Sequence, residues 1–219
     1  EPDLRPRPVV LVLGPGQMGA FAFAGILRSL SEFGISVGGI VGLGEGAIVG
    51  AVYAASDTED EFEWTLLKTG RSMMSRSAAN VGLKDEIDQL FKGKNIEKTR
   101  IPYRVGIYSE NLGMLEFLEF GKTGGMRPWF LDLEKALKEA VEEARRLNIG
   151  PIVVCVVGEV AGGGADRSFD QIGADLVLQP KLNGILEADF KQRSEAALRG
   201  KRVVRDRIEE LRALAGFPG

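Results

Sequence analysis

The stretch Gly42-Leu43-Gly44-Glu45-Gly46 follows one apolar run and opens another. Residues 35–41 before it are rich in β-branched and small residues and predict a buried strand. Residues 45–55 after it are mostly small and apolar, which predicts a helix that packs closely on a sheet. The stretch therefore predicts a sharp turn from a strand into a helix.

The same order of elements occurs immediately upstream. Residues 8–13 form a continuous apolar run that predicts a strand buried on both faces, and residues 18–33 have apolar residues at helical spacing. Gly34 follows as a helix stop. Strand, helix, strand, helix in this order predicts a parallel sheet with right-handed crossovers.

The rest of the chain continues the alternation. Thr58 and Glu61 have the spacing of a capping box and predict a helix that runs to about Lys68. Residues 70–82 lack a period and predict a mobile surface loop, a candidate lid or partner surface. Further helices are predicted at 84–91, 131–147 and 189–214 (interrupted near Gly200), strands at 103–109, 116–120, 151–157 and 175–179, and loops at 121–128 and 162–168.

We expect these elements to form one three-layer α/β/α domain with a mainly parallel central sheet. The 219 residues suffice for a single large core, and no linker divides them. The domain is expected to span residues 1–219, with residues 1–8 as an extended, proline-rich lead-in.

Composition excludes several classes of function. The chain has no histidine and one cysteine, so Ser-His-Asp and Cys-His catalysis, an internal disulfide and a structural zinc site are ruled out. We expect no cofactor and no metal. The cysteine, Cys155, lies in an apolar run and is predicted to be a buried core residue. A net charge of −3 gives no electrostatic case for nucleic acid or an anionic membrane surface.

Targeting signals leave the compartment open. No apolar run approaches the ~18 residues that a membrane-spanning helix needs, and no secretory signal is recognisable. The chain begins at Glu1 rather than Met. The expected location is therefore cytoplasmic or, if a leader was removed, periplasmic or membrane-anchored.

Two glycine-rich turns resemble the signature of bacterial patatin-like phospholipases. That signature is a strand, an oxyanion loop of the form Gly-Gly-Gly-x-Arg-Gly, a helix, a second strand and a Gly-x-Ser-x-Gly nucleophile elbow. The chain has Leu13-Gly14-Pro15-Gly16-Gln17-Met18-Gly19 at the first place and Gly42-Leu43-Gly44-Glu45-Gly46 at the second. The resemblance is specific over residues 9–55 and extends more weakly to residues 101–121 and 173–178.

The nucleophile that the resemblance implies is missing. Gly44 stands where the family has its serine, and a glycine has no side chain to attack an acyl carbon. An elbow strains a non-glycine residue by ~1–3 kcal/mol, whereas glycine adopts such conformations freely. A Ser-to-Gly change therefore keeps the turn, relieves its strain and removes the chemistry.

The other catalytic parts of the family are altered too. Pro15 has no N–H to donate to an oxyanion, and Met18 replaces the usual arginine. The family's Asp-Gly-Gly motif is absent from the place where it is expected, near residues 157–158. The nearest acids, Glu159 and Asp166, do not precede a glycine pair.

The sequence thus predicts a degenerate, catalytically inactive patatin-like domain that binds a lipid-like ligand or a protein partner. The candidate ligand-binding residues are Gly14, Gly16, Gln17, Met18, Gly19 and Glu45. Met18 is expected to fill the former pocket, and Glu45 to complement the dipole of its helix. No nucleic acid partner and no membrane-spanning segment are expected, and the oligomeric state is open.

Two alternatives stay open. One is an active patatin-like acyl hydrolase whose serine has been relocated or removed by engineering, with Ser72, Ser75, Ser77 and Ser109 available. The other is a dinucleotide-binding Rossmann-type domain, because residues 14–19 fit Gly-x-Gly-x-x-Gly between a strand and a helix. Against the second, the acid expected ~20 residues on, which would bind the ribose, is missing.

Overall fold

A six-stranded sheet forms the centre of the computed structural model, which describes residues 6–16, 18–75, 99–109, 114–118, 133–157, 169, 171–185 and 189–217. The strands are β1 (Val9–Leu13), β2 (Val37–Leu43), β3 (Tyr103–Ser109), β4 (Met114–Leu118), β5 (Ile152–Cys155) and β6 (Leu176–Leu178). Their order is β4-β3-β2-β1-β5-β6, and only β4 runs antiparallel. The predicted mainly parallel α/β fold is confirmed.

Six α-helices accompany the sheet in the described part of the chain. They are α1 (Gly19–Glu32), α2 (Glu45–Ala55), α3 (Glu59–Ser75), α4 (Leu133–Arg146), α5 (Arg193–Asp206) and α6 (Ile208–Ala215), with a 3₁₀ turn at Phe190–Gln192. The predicted helix at residues 84–91 and the predicted loops at 121–128 and 162–168 lie outside the described residues.

The core has one part on each face of the sheet, and the strand sequences explain why. In β1, Val9, Leu11 and Leu13 point to the cluster that includes α1 and α2, while Val10 and Val12 point to the cluster under α4. Alternate residues of a strand face opposite sides, so a strand covered on both sides must be apolar throughout. The three layers that the apolar runs predicted are therefore present.

Helices α1 and α5 lie so close together that glycine is required on both. A Cβ atom on Gly25 would overlap the carbonyl oxygen of Ala197, and a Cβ on Gly200 would overlap the carbonyl oxygen of Ala22. The two helices therefore meet backbone to backbone. This contact fixes the position of α1, which starts at the end of the glycine-rich loop at residues 14–19.

Helix α2 is tied to the sheet through a buried tyrosine of β3. The Tyr103 hydroxyl donates a 2.6 Å hydrogen bond to the carbonyl oxygen of Ala47. A Cβ atom on Gly50 would lie 2.9 Å from a ring carbon of Tyr103, so the ring packs directly against the backbone of α2. Burial raises the pKa of the Tyr103 phenol above its ordinary value, so the hydroxyl stays a donor.

Replacing Tyr103 by phenylalanine is expected to lower the free energy of unfolding by about 1 kcal/mol, because the ring stays but the buried hydrogen bond is lost. Urea unfolding followed by circular dichroism measures the change. Tyr53→Phe is the matched control, since its ring contact with Phe62 is retained. Equal stability of Tyr103→Phe and the unmodified chain would contradict the role given to this hydroxyl.

Two sequence predictions at positions occupied by glycine are wrong. The predicted loop at residues 70–82 begins too early, because α3 continues to Ser75 and the part at 76–82 lies outside the described residues. Gly70 belongs to the helix and packs on Phe21, whose ring atom Cζ would lie 2.6 Å from an added Cβ. Gly200 likewise does not interrupt α5, and the break between α5 and α6 falls at Arg207.

Other boundaries differ by one to three residues. The predicted cap at Thr58 is present, because its hydroxyl accepts from the Glu61 N–H at 3.2 Å. The Glu61 carboxylate accepts at 2.9 Å from the N–H of Asp57, one residue before the cap, rather than from Thr58 as in a complete capping box. The strands predicted at residues 103–109 and 116–120 are also present and pair antiparallel, although β4 starts at Met114. Strand β2 extends to Leu43 and α2 begins at Glu45, so Gly44 is the single residue between them.

Candidate functional site

The oxyanion-type loop and the elbow leave the sheet side by side. Strands β1 and β2 are parallel neighbours, and Leu13 pairs with Gly42 at the carboxyl end of both. The loop, residues 14–19, starts directly after β1, and the elbow, residues 42–46, spans the end of β2 and the start of α2. Ligands of open α/β sheets bind at this end of the strands. We call the loop and the elbow together the elbow site.

Gly44 holds the conformation of a sharp strand-to-helix elbow. Its φ of 54° and ψ of −129° lie in a region that L-residues with side chains rarely adopt. It is the N-cap residue of α2, and its carbonyl oxygen accepts from the Ala47 N–H at 3.0 Å. The turn needed to present a nucleophile is therefore present, but the residue at its apex has no side chain.

The flanking glycines allow the turn to pack tightly. A Cβ on Gly42 would overlap the backbone of Ala47. A Cβ on Gly46 would overlap the carbonyl oxygens of Leu13 and Gly14. Both glycines are therefore needed for α2 to start against β1 and β2, independently of any chemistry at Gly44.

The first three residues of the loop have no free N–H group. The Gly14 N–H donates to the carbonyl oxygen of Cys155 at 2.9 Å, which continues the pairing with β5. Pro15 has no N–H. The Gly16 N–H donates to the Glu45 carboxylate oxygen Oε2 at 2.9 Å. None of these three residues has a backbone donor left for an oxyanion.

The remaining candidate residues occupy different environments. Met18 is 2% exposed and belongs to the core cluster under α1. Gly19 is the first residue of α1, where a Cβ would come within 2.6 Å of the Val157 side chain. Gln17 lies outside the described residues. Of the candidate side chains that are described, Glu45 alone makes a polar contact within the elbow site.

No described carboxylate stands where the family has its catalytic acid. Val157, at the expected place, is a buried apolar residue of the core, and Glu159 and Asp166 lie outside the described residues. Asp175 accepts a 2.7 Å hydrogen bond from the N–H of Ile152, the first residue of β5. Asp175 therefore lies at the end of the sheet opposite to the elbow, where it accepts a backbone hydrogen bond at the start of β5.

The other potential nucleophiles lie outside the elbow segment, residues 42–46. Cys155 is fully buried, and burial raises the pKa of its thiol above its ordinary value, so the reactive thiolate does not form. The predicted buried core cysteine is confirmed. Ser72 and Ser75 lie within α3, and Ser109 ends β3. Ser77 is not among the described residues.

A groove lined by both apolar and charged side chains lies between α1, α3 and α5. Its volume is about 410 Å³, and Leu67 and Leu198 line it. These two residues and Trp64 are exposed, Trp64 by 59% and Leu198 by 43%. The sequence prediction did not single out this surface, because its residues come from three helices that only the tertiary structure brings together.

The described ranges contain no group of three or more acidic or cysteine side chains arranged to hold a metal ion. None of their helices combines the length and apolarity that crossing a bilayer requires.

Sequence comparison finds relatives over part of the chain. Uncharacterized NTE family proteins of Mycobacterium tuberculosis and Mycobacterium bovis are 32% identical over 104 residues, which are 43% of this chain and 29% of each relative. The match thus covers less than a third of the relatives' length. No protein-family model matches the chain.

Structure comparison extends the similarity to nearly the whole chain. The type III effector protein ExoU superposes with a TM-score of 0.56 at 13% identity, covering 96% of this chain and 54% of ExoU. ExoU in its heterodimeric complex with SpcU from Pseudomonas aeruginosa gives a TM-score of 0.57 at 11% identity, covering 95% and 52%. The chain therefore spans about half of ExoU. The resemblance to the patatin-like family is confirmed, in sequence by NTE family proteins and in fold by ExoU.

Proposed function

We propose that this chain is one catalytically inactive patatin-like domain that acts as a binding or scaffolding module. Its ligand is a lipid-like molecule or a protein partner. The observation that carries the proposal is Gly44: the elbow keeps its strained backbone conformation but has no nucleophile at its apex.

The loop supports the same conclusion independently. An acyl hydrolase stabilises a tetrahedral oxyanion with backbone donors, each worth about 3–4 kcal/mol where one has been removed. The N–H groups of Gly14 and Gly16 are already bonded within the protein, and Pro15 has none. Nucleophile and oxyanion donors are therefore impaired at the same place, which argues against hydrolysis more strongly than either change alone.

Surface features support the binding part of the proposal. Leu67 and Leu198 expose apolar surface in the groove between α1, α3 and α5, and Trp64 of α3 is also exposed. Exposed apolar surface of this kind is typical of interaction sites. ExoU, whose fold this chain shares, forms a heterodimeric complex with SpcU. A protein partner is accordingly one of the two classes of ligand that we propose.

Labelling with a fluorophosphonate probe, read by intact mass, tests the proposal on this chain beside its Gly44→Ser variant. We expect no adduct on the unmodified chain, because no described residue presents an activated nucleophile to the elbow site. A serine hydrolase of known activity serves as the positive control for the probe.

A stoichiometric adduct on the unmodified chain would contradict the proposal, and peptide mapping would then locate the relocated nucleophile. If the Gly44→Ser variant is labelled and the unmodified chain is not, the glycine at position 44 is by itself sufficient to explain the loss of labelling. If neither protein forms an adduct, the oxyanion-type loop and the catalytic acid are impaired as well. The last two results agree with an inactive domain and differ only in how much of the machinery is lost.

A further inference from the structure

Glu45 connects the two segments of the elbow site. It is the first residue of α2, and its Oε2 atom accepts the 2.9 Å hydrogen bond from the Gly16 N–H, 29 residues away in sequence. Gly16 has a φ of 132°, in the region that glycine alone enters easily. The loop conformation therefore turns a backbone donor toward a carboxylate of the elbow.

The helix dipole alone does not account for this contact. Carboxylates are favoured in the first turn of any helix, and α4 and α5 also have one there. Glu134 pairs with Lys138 at 2.8 Å, and Glu195 with Arg199 at 2.9 Å, each within its own helix. Helix α2 contains no basic residue. Glu59, in the first turn of α3, also bonds to a different segment, because it accepts from the Ser31 hydroxyl of α1. Among these described first-turn acids, Glu45 is the one that accepts from a backbone N–H of the elbow site.

We propose that Glu45 is an internal anionic occupant of the loop and closes the elbow site to acyl ligands. Its carboxylate oxygen takes the backbone donor that an anionic ligand oxygen would need. The inference rests on the proposed function and refines it, because a ligand of the module then binds away from the elbow. That favours a protein partner over a lipid-like molecule seated at Gly44.

The size of the effect follows from the type of bond. A hydrogen bond to an ionised acceptor is roughly twice as strong as one between neutral groups. An external carboxylate competes with a carboxylate that is already held in place by its own helix. Removing Glu45 is therefore expected to strengthen binding of an anionic acyl ligand at the loop by about 10- to 100-fold, the range that one such bond supplies.

Amide hydrogen exchange at Gly16, measured by NMR, tests the bond directly. We expect the Gly16 exchange rate to rise at least about tenfold in Glu45→Ala, since a donor bonded to a charged acceptor is freed. A smaller rise is expected in Glu45→Gln, which keeps an acceptor oxygen. Glu134→Ala, another first-turn acid, is the matched control and should leave Gly16 unchanged. Thermal unfolding confirms that each variant is folded.

Laurate, an acyl chain with a carboxylate, tests the closure. Its titration should shift the Gly16 amide signal of Glu45→Ala at concentrations at least about tenfold lower than in the unmodified chain. Unchanged Gly16 exchange in Glu45→Ala would overturn the inference, and so would equal laurate responses in the two proteins. A fluorophosphonate adduct on the unmodified chain would instead refute the proposed function, so the two failures are distinguishable.

Discussion

Gly200→Ala is expected to destabilise the fold by about 2–4 kcal/mol, although alanine is the better helix former. Intrinsic propensity alone would stabilise an exposed helix by roughly 1 kcal/mol for this change. In this protein the new Cβ would overlap the carbonyl oxygen of Ala22 on α1. Backbone cannot rotate out of the way as a side chain can, so the two helices must separate.

The reciprocal position gives an internal check. Gly25→Ala places a Cβ against the carbonyl oxygen of Ala197 in the same interface. We expect a loss of similar size, and a double variant that costs less than the sum, because helices already separated accommodate the second methyl group. Urea unfolding followed by circular dichroism measures all three proteins.

Arg205→Ala is the matched control, since it lies in α5 at an exposed position. Its stability should stay within about 0.5 kcal/mol of the unmodified chain. A Gly200→Ala variant as stable as this control would show that α1 and α5 are not in backbone contact. The position of α1, and with it that of the oxyanion-type loop, would then have to be revised.

The strands and the elbow could be predicted from sequence because their signals are local. A strand covered on both faces must be apolar throughout, so β1 and β5 were visible as continuous runs. The elbow is marked by glycines at fixed spacing, and Gly42 and Gly46 are required by contacts within a few residues of the turn or with the adjacent strand. Burial of a strand on both faces and close contacts at a turn both restrict the residue types at successive positions, so they can be recognised in the sequence.

Two glycines stand where the predicted helix boundaries are wrong, and both are explained by tertiary contacts. Gly70 begins the stretch whose lack of a period predicted a loop, and Gly200 marked the predicted helix break. Both are retained where another element approaches, the ring of Phe21 in one case and the backbone of α1 in the other. Conversely, the break at Arg207 has no glycine or proline to announce it.

The Glu45 contact could not have been derived from the sequence. The dipole of α2 explains an acid at that position, and that was the interpretation the sequence supported. Its bond to Gly16 depends on the parallel register of β1 and β2, which sets the loop beside the elbow. A partner 29 residues away leaves no periodic signal.

Alanine substitutions in the elbow are expected to rank Gly46→Ala as far more damaging than Gly44→Ala. At Gly46 the Cβ would overlap the carbonyl oxygens of Leu13 and Gly14, so α2 must move off β1. We expect a loss of about 3–5 kcal/mol, more than the ~1–3 kcal/mol typical of overpacking, because the overlapped atoms belong to the backbone and cannot rotate aside. Gly44→Ala and Gly44→Ser should each cost about 1–3 kcal/mol, from backbone strain at φ 54°.

Gly34→Ala separates the effect of backbone strain from the effect of atomic overlap. Gly34 also has a positive φ, 72°, but no atom lies within 4 Å of an added Cβ. It should cost only about 1 kcal/mol, the strain of a left-handed residue without any overlap. Chemical denaturation of the four variants beside the unmodified chain gives the comparison, with the slope of each transition checked for two-state behaviour.

The Gly44→Ser result bears on function as well as on stability. A hydrolase keeps a serine at a strained elbow because the reaction requires it. A domain that no longer catalyses the reaction gains stability when glycine replaces that serine. A Gly44→Ser variant about 1–3 kcal/mol less stable than the unmodified chain would agree with this account. Equal stability would mean that the elbow holds no strain, and glycine at this position would then have no structural advantage to explain it.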